Sequence, residues 1–317
     1  MKRLMNVEEA KDVCQNRSKW KEIVSAYHCW KKGLPPYSDS SDCVAEYIRG
    51  RDGYDCNYKD VLLITGGSTG VKYSLLLLAT KFCGIPTGVM IPIPTYPLYT
   101  AVLAEFGLIP VNYYLDEGDN WGLKIEELER AFKEGSKNCK IRCIAVINPG
   151  NPTGQVFTKE SINNVVKFAH DKGLMIMTDE VYQHNIYEGE FISFKKGLMD
   201  MGPPYNKMEL ISMMSVSKGY MGECGIRGGW LEMTNIDPNC TKLLVEGVLA
   251  QGRCPPTSGQ IVAECVARPP KEGDPSYCQF KEESDYVINS LREKATLIAK
   301  LFNNMKGMSC NALQVSI

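Results

Sequence analysis

Short apolar runs alternate with stretches of helical periodicity along most of the chain. Val61–Thr65 is a compact apolar run; a glycine-rich turn follows, and Ser68 to about Phe82 shows a helical pattern. This predicts strand, loop, helix. The alternation continues with strand Gly88–Ile93, helix Tyr96–Phe106, strand Ile109–Leu115, helix Ile125–Lys133 and strand Ile141–Ile147. Thr158 is placed to cap a helix running through His170, with Ser161 close behind, and strand Leu174–Thr178 ends at Asp179. Leu210–Met214 and Gly229–Met233 read as further strands. Strands alternating with helices imply an α/β fold: a mostly parallel central sheet with helices on both faces.

Beyond the last strand the pattern changes. Pro275 to about Asn304 reads as one long charged helix, and Met308–Ile317 as the start of a strand. At 317 residues the chain is long enough for roughly two domains of about 150 residues each. The expected division is an N-terminal segment over 1–45, a large ligand-binding domain over 46–274, and over 275–317 a linking helix that opens an incomplete small α/β domain.

Composition narrows the classes. Hydrophobic residues make up 44% and charged residues 23%, which supplies an ordinary globular core without staples. The net charge of -1, with no basic tail, argues against nucleic acid or an anionic membrane as partner. The longest apolar stretch, Leu75 to Leu78, is far too short to span a bilayer, and the N-terminus has no apolar segment of the kind a signal peptide carries. Thirteen cysteines form no CxxC pair, and the histidines are His28, His170 and His184, so zinc spacing is absent and no metal is expected. Reduced thiols in a cytoplasmic protein are the expectation. In that setting the acceptor patterns Asn16-Arg17-Ser18 and Asn239-Cys240-Thr241 are chance.

The polar residues that interrupt this pattern fall mostly after strands, where α/β sheets gather ligand-binding groups. Gly66-Gly67-Ser68-Thr69-Gly70 follows the first strand, Asn148 through Gly154 follows Ile147, Asp179 through Tyr182 follows Thr178, and Ser215-Val216-Ser217-Lys218 follows Met214. Arg227 comes nine residues after Lys218. An amide, an acid, a phenol, a lysine and an arginine in this order supply the contacts that pyridoxal 5′-phosphate needs. Lys218 forms the imine, Asp179 holds the pyridinium nitrogen, and Asn151 and Tyr182 face the ring oxygen. Gly67, Ser68, Ser215, Ser217 and Arg227 hold the phosphate, and Tyr96 stacks on the ring. Taken singly, each residue has an ordinary structural explanation: a capping acid, a tight Asn-Pro turn, an exposed lysine, a loop-anchoring tyrosine. Attack on an aldehyde needs a partly neutral lysine, so the pKa of Lys218 is expected to lie low, through desolvation and the Arg227 cation.

These runs resemble the class I and II aminotransferases of fold type I. The resemblance covers roughly residues 37 to 311 and is carried by Ile91-Pro92-Ile93-Pro94 with Tyr96-Pro97-Leu98-Tyr99, Asn148 through Gln155, Asp179-Glu180-Val181-Tyr182-Gln183, Met201-Gly202-Pro203-Pro204-Tyr205, and Ser217 through Gly225. The last of these and the proline-rich runs narrow it to the alanine-using branch of that family. The resemblance implies transfer of an amino group between L-alanine and 2-oxoglutarate. Lys218 is then both the Schiff-base lysine and the acid/base, with Asp179 and Tyr182 as its catalytic companions. It also implies homodimers with shared sites, in which Tyr37 reaches the neighbouring subunit's phosphate. Glyoxylate as acceptor, or a cofactor-holding remnant without activity, stays open.

Three features depart from the family pattern. The family continues past the equivalent of Ile317, and the arginine that grips the substrate carboxylate falls in that part, so this stretch by itself is expected to be weak or inactive. A glycine-rich stretch of the family is replaced by Trp30-Lys31-Lys32-Gly33-Leu34-Pro35. The segment between Ser41 and Val44 is short, which is expected to clip a helix.

Overall fold

The strands assemble into one seven-stranded sheet among the described residues, in the order β1-β7-β6-β5-β4-β2-β3. They are β1 (Val61–Leu63), β2 (Thr87–Ile93), β3 (Ile109–Tyr114), β4 (Lys140–Ile147), β5 (Met175–Asp179), β6 (Leu210–Ser215) and β7 (Gly229–Thr234). This computed structural model describes residues 36–81, 83–252 and 255–315, with the side chains of 36–39 and 248–252 outside the description. Residue 82, the N-terminal replacement at 30–35 and most of the N-terminal segment therefore lie outside the described residues. Neighbours from β6 through β3 are parallel, whereas β7 pairs antiparallel with both β6 and β1. The expected mostly parallel α/β sheet is found, with one reversed strand.

Both faces are covered. Along β2, Val89 and Ile91 pack into one core while Met90 points to the other; along β4, Cys143, Ala145 and Ile147 take the first side and Ile144 and Val146 the second. The period of two in a strand forces this split, and burial on both sides is why these strands are apolar throughout. Each fully buried aliphatic side chain contributes roughly 1.5–3 kcal/mol. Edge strand β3, by contrast, is exposed at alternate positions.

The helices are α1 (Pro36–Asp52), α2 (Gly67–Leu76), α3 (Leu98–Glu105), α4 (Ile125–Gly135), α5 (Lys159–Lys172), α6 (Phe194–Asp200), α7 (Pro238–Gly252), α8 (Thr257–Ala267) and α9 (Tyr277–Asn303). Helix α5 begins as its sequence dictates: Thr158 accepts from the Ser161 amide. It ends at Gly173, whose φ of 65° is the left-handed stop that glycine adopts without strain. Helices α1, α6, α7 and α8 were not among the expected elements. Helix α1 runs unbroken through Ser41–Val44, and the boundary drawn at 45/46 falls inside it. The strand expected over Met308–Ile317 is also absent from the described residues. Up to Val315 the chain forms only an isolated antiparallel bridge with Ile186. Backbone bonds from the Tyr187 amide to the Gln314 carbonyl at 3.2 Å and from the Gln314 amide to the Gly154 carbonyl at 3.0 Å hold it there, and Gln314 Oε1 accepts from the Val156 amide at 2.9 Å.

Candidate active site at the carboxyl edge of the sheet

Strand register brings the interrupting residues to one edge. Ile147 on β4 lies opposite Asp179 on β5, and Asp179 lies opposite Met213 on β6. Asn148 through Asn151, Asp179 through Tyr182, and Ser215 through Lys218 thus leave three adjacent parallel strands side by side. Arg227 precedes its strand instead of following it. Because β7 is the reversed strand, its starting end lies at the same edge, where Ser215 pairs with Gly229.

Asp179 is buried. Its Oδ2 accepts from the Tyr99 hydroxyl at 3.2 Å and its Oδ1 from the Val181 amide at 3.4 Å. Burial pushes its carboxyl up from 3.8 to about 6, although the Val181 and Tyr99 hydrogen bonds and the Lys218 charge pull the other way. A carboxylate held this way lacks a close cation, and a cation placed against it would favour its charged form.

Lys218 leaves the turn after β6 and carries its Nζ over the Tyr182 ring, 5.0 Å from the centroid. Its pKa does not fall as expected. Burial lowers it, but the hydroxyl of Tyr182, together with Tyr96 and Cys224, raises it further, and the net direction is upward. Burial raises Tyr182 in turn, and Lys218 draws it back. Asn151 donates from Nδ2 to the same Tyr182 oxygen at 3.3 Å. Amide, phenol and amine thus meet around one hydroxyl. Tyr96, in the loop between β2 and α3, is 39% exposed.

At the other end, helix α2 starts at Gly67 with no side-chain cap and no acid in its first turn. Its first amides are free to face an anion. Gly66 has a φ of 88°, and a Cβ there would collide with the Arg227 guanidinium. Glycine is therefore required both for the turn and for the arginine's approach. Arg227 donates from Nη2 to the Thr65 carbonyl at 3.0 Å and from Nη1 to the Cys224 carbonyl at 2.9 Å. Ser215 Oγ lies 3.1 Å from Ser217 Oγ, and a Cβ on Gly67 would sit 3.4 Å from Ser215 Cβ. Ser68 occupies the exposed first turn of α2. The side chain of Tyr37 lies outside the described residues.

The donor set fits pyridoxal 5′-phosphate: a buried acid, then a phenol and amide, then a lysine, then hydroxyls, a guanidinium and a helix N-terminus. Among the described residues no group of three or more His, Cys, Asp or Glu side chains could hold a metal ion.

Two contributors escaped the motif reading. Tyr99, fully buried, bonds Asp179 from the first turn of α3; its spacing of three from Tyr96 was the available signal. The second is a buried ionic cluster behind β5. Arg51 of α1 pairs with Asp52 at 2.7 Å and approaches Glu180 at 3.9 Å and Glu232 at 4.0 Å. Lys195 pairs with Glu232 at 2.5 Å. A glutamate inside the apolar run Trp230-Leu231-Glu232-Met233 was its trace in the sequence.

Comparison with known proteins gives a consistent picture. The family model "Aminotransferase class I and II" matches residues 28–310. Alanine aminotransferase 2 of Xenopus laevis is 47% identical over 277 residues, 86% of this chain and 51% of that protein. Alanine aminotransferase 1 of Homo sapiens is 45% identical over 296 residues, 90% and 60% of the two chains. Glutamate--glyoxylate aminotransferase 1 of Arabidopsis thaliana is 42% identical over 289 residues, 88% and 59%. The chain thus spans about half to three-fifths of the length of these relatives. Among solved structures, an alanine aminotransferase from Pyrococcus furiosus superimposes with a TM-score of 0.75 at 22% identity, covering 93% of this chain and 70% of that one, a likeness of fold.

Proposed function

Since the chain belongs to the aminotransferase class I and II family, whose members depend on pyridoxal 5′-phosphate, we propose that it moves an amino group between L-alanine and 2-oxoglutarate. The observation that carries this reading is the convergence of Asp179, Asn151, Tyr182 and Lys218 at the ends of β4, β5 and β6. The similarity to alanine aminotransferases supports the choice of amino donor.

When bound, the cofactor supplies an electron sink for the substrate's α-carbon. The chain's own residues set the conditions. Asp179 holds a proton at the ring nitrogen, and the incoming cation relieves the cost of burying its charge. Asn151 and Tyr182 fix the ring oxygen, and Tyr96 covers one ring face. Gly67 and Ser68 amides, the Ser215 and Ser217 hydroxyls and the Arg227 guanidinium hold the phosphate. Lys218 would bond to the cofactor and would carry the proton to and from the substrate's α-carbon. Before that bond forms, the amine must lose its proton against the upward pull of Tyr182, so cofactor capture should speed up with rising pH.

In this reading the sheet and its helices to residue 274 form the cofactor-binding domain, with 1–45 preceding it, and 275–317 leads toward a small domain. The working form is a cytoplasmic homodimer in which Tyr37 reaches the neighbouring subunit's phosphate. Its compartment is supported by the described cysteines, which are free thiols. No helix among the described residues is long and apolar enough to cross a membrane.

The test is direct. The purified chain is mixed with pyridoxal 5′-phosphate, then with L-alanine and either 2-oxoglutarate or glyoxylate. A protein-bound chromophore is the expected result; conversion by L-alanine, with faster restoration by 2-oxoglutarate than by glyoxylate, would support the proposed reaction and overturn the expectation that this stretch alone is weak or inactive. Restoration by glyoxylate alone would reassign the acceptor; a chromophore indistinguishable between the parent and Lys218→Ala would overturn the site.

A further inference from the structure

Lys218 reaches its place on a turn whose own backbone bonds are sparse: the Gly222 amide meets the Lys218 carbonyl at 3.5 Å and the Glu223 amide the Val216 carbonyl at 3.1 Å. Something else must fix the direction of its long side chain. The segment after β5 is folded tightly, with Gln183 N bonded to Glu180 O at 3.2 Å and Asn185 N to Tyr182 O at 2.9 Å. Two of its side chains meet the lysine turn. Tyr182 lies beneath the Lys218 ammonium. His184 packs on the next residue: a Cβ at Gly219 would stand 3.3 Å from His184 Cβ and 3.8 Å from its Nδ1. The His184 ring also contacts the Tyr220 ring at 5.9 Å. Gly219 itself has a φ of 76°, so the turn tolerates little besides this arrangement.

The histidine is held from behind. Tyr47 of α1 places its hydroxyl 2.8 Å from His184 Nε2 and 2.8 Å from Gln183 Oε1. Arg51 donates to the same Gln183 oxygen at 3.0 Å, and an arginine can only donate, so this side of the amide is the acceptor. The single Tyr47 proton then goes to Gln183, and His184 must donate from Nε2 to the phenol oxygen. One tautomer is selected. Burial, then the Arg51 charge, lowers the His184 pKa to about 4, which keeps a second cation away from Lys218 at neutral pH.

We propose that His184 is a positioning residue for Lys218, fixed in one tautomer by Tyr47, Gln183 and Arg51 and bracing the Gly219 turn so that the lysine amine faces the cofactor's aldehyde. This rests on the reading of Lys218 as the cofactor's lysine. Arg51 in turn belongs to the buried ionic cluster, so the brace reaches back into the rigid core through α1.

Two measurements on the full chain separate positioning from folding. The first is the rate at which pyridoxal 5′-phosphate becomes bonded to Lys218, the aldehyde oxygen leaving as water, read by mass after borohydride reduction. The second is affinity for pyridoxamine 5′-phosphate, which has the same phosphate and ring but no aldehyde to link. A displacement of about 1 Å costs up to about a hundredfold in such reactions, so His184→Ala should slow capture about tenfold or more. Its affinity for pyridoxamine 5′-phosphate should stay within about twofold of the parent, as expected when the non-covalent contacts persist. His184→Gln, which retains a donor toward Tyr47, should recover most of the rate. Tyr47→Phe removes one oxygen and should slow capture about threefold, the effect of one neutral hydrogen bond; it decides the matter if His184→Ala does not fold. Capture at the parental rate in these variants, or pyridoxamine 5′-phosphate affinity falling in step with capture, would overturn the inference. A borohydride-fixed adduct in Lys218→Ala would instead sink the underlying reading of the lysine.

Discussion

Asp179 and Glu180 are neighbours on one strand end, and they face opposite fates. Asp179 looks into the candidate site, where Tyr99 and the Val181 amide are its hydrogen-bonding partners. Glu180 points the other way, toward Arg51, and accepts from the Phe194 amide at 2.8 Å. Both are buried, and burial raises both pKa values, to about 6 and about 8. The difference lies in what completes them. The cluster around Glu180 already contains two cations, Arg51 and Lys195, for the acids Asp52, Glu180 and Glu232. Around Asp179 the Lys218 charge gives only partial relief, and in the proposed reading the cation comes from the bound cofactor. A protein can thus build a binding site and a structural anchor from the same residue type by leaving one of them unfinished.

The largest effect expected is in the finished region. Lys195→Met leaves Glu232 buried beside the Arg51 charge alone and should cost about 3–5 kcal/mol in urea unfolding. The double variant Lys195→Met with Glu232→Leu should recover most of that, since an apolar pair of similar size replaces the ions. If the single variant is neutral, the cluster is not an anchor.

The unfinished region should respond with the opposite sign. Asp179→Asn removes a buried charge, so the cofactor-free chain should be as stable as the parent or more so. Its affinity for pyridoxal 5′-phosphate should fall roughly a hundredfold, about 2–3 kcal/mol for a lost charged hydrogen bond. Equilibrium titration of the chromophore beside a denaturation curve reads both. A cofactor-free Asp179→Asn chain that unfolds more easily would erase the contrast.

The pH dependence of stability sharpens it. Folding raises the Asp179 pKa from 3.8 to about 6 and that of Glu180 from 4.5 to about 8. Between each pair of values the folded chain holds more protons than the unfolded one, so stability from these groups is present at low pH and declines as pH rises through the folded values. Raising the pH from about 5 to about 8 should therefore destabilise the cofactor-free chain, with Glu180 contributing the larger share. Glu180→Gln should remove the upper part of that slope, and bound cofactor the lower part. A slope unchanged in Glu180→Gln would assign it to other groups.

Tyr99→Phe should give the smallest effect. Loss of one hydroxyl donor to Asp179 costs about 1 kcal/mol of cofactor binding and moves the Asp179 pKa further up. Unchanged affinity would place Tyr99 in the core rather than the site.

The amino-acid sequence determined the local elements and the chemical inventory. Apolar runs closed by glycine, asparagine and aspartate marked the strands and their ends, and Thr158 with Gly173 set the limits of α5, because caps and periodicity act within a few residues. The same locality explains the failures. Helix α8 has its place because Val266 and Ala263 fill a core with Trp230 and Val61, partners distant in sequence. The 308–315 segment is apolar enough to read as a strand, yet only Ile186 at Val315 offers it a bridge. Only the tertiary structure decided that β7 runs backwards and so delivers Arg227 to the edge where Lys218 stands. The direction of the Lys218 pKa was decided there too. Local sequence names the charges, but which hydroxyl lies against an amine is settled by how three strand ends and two turns pack in space.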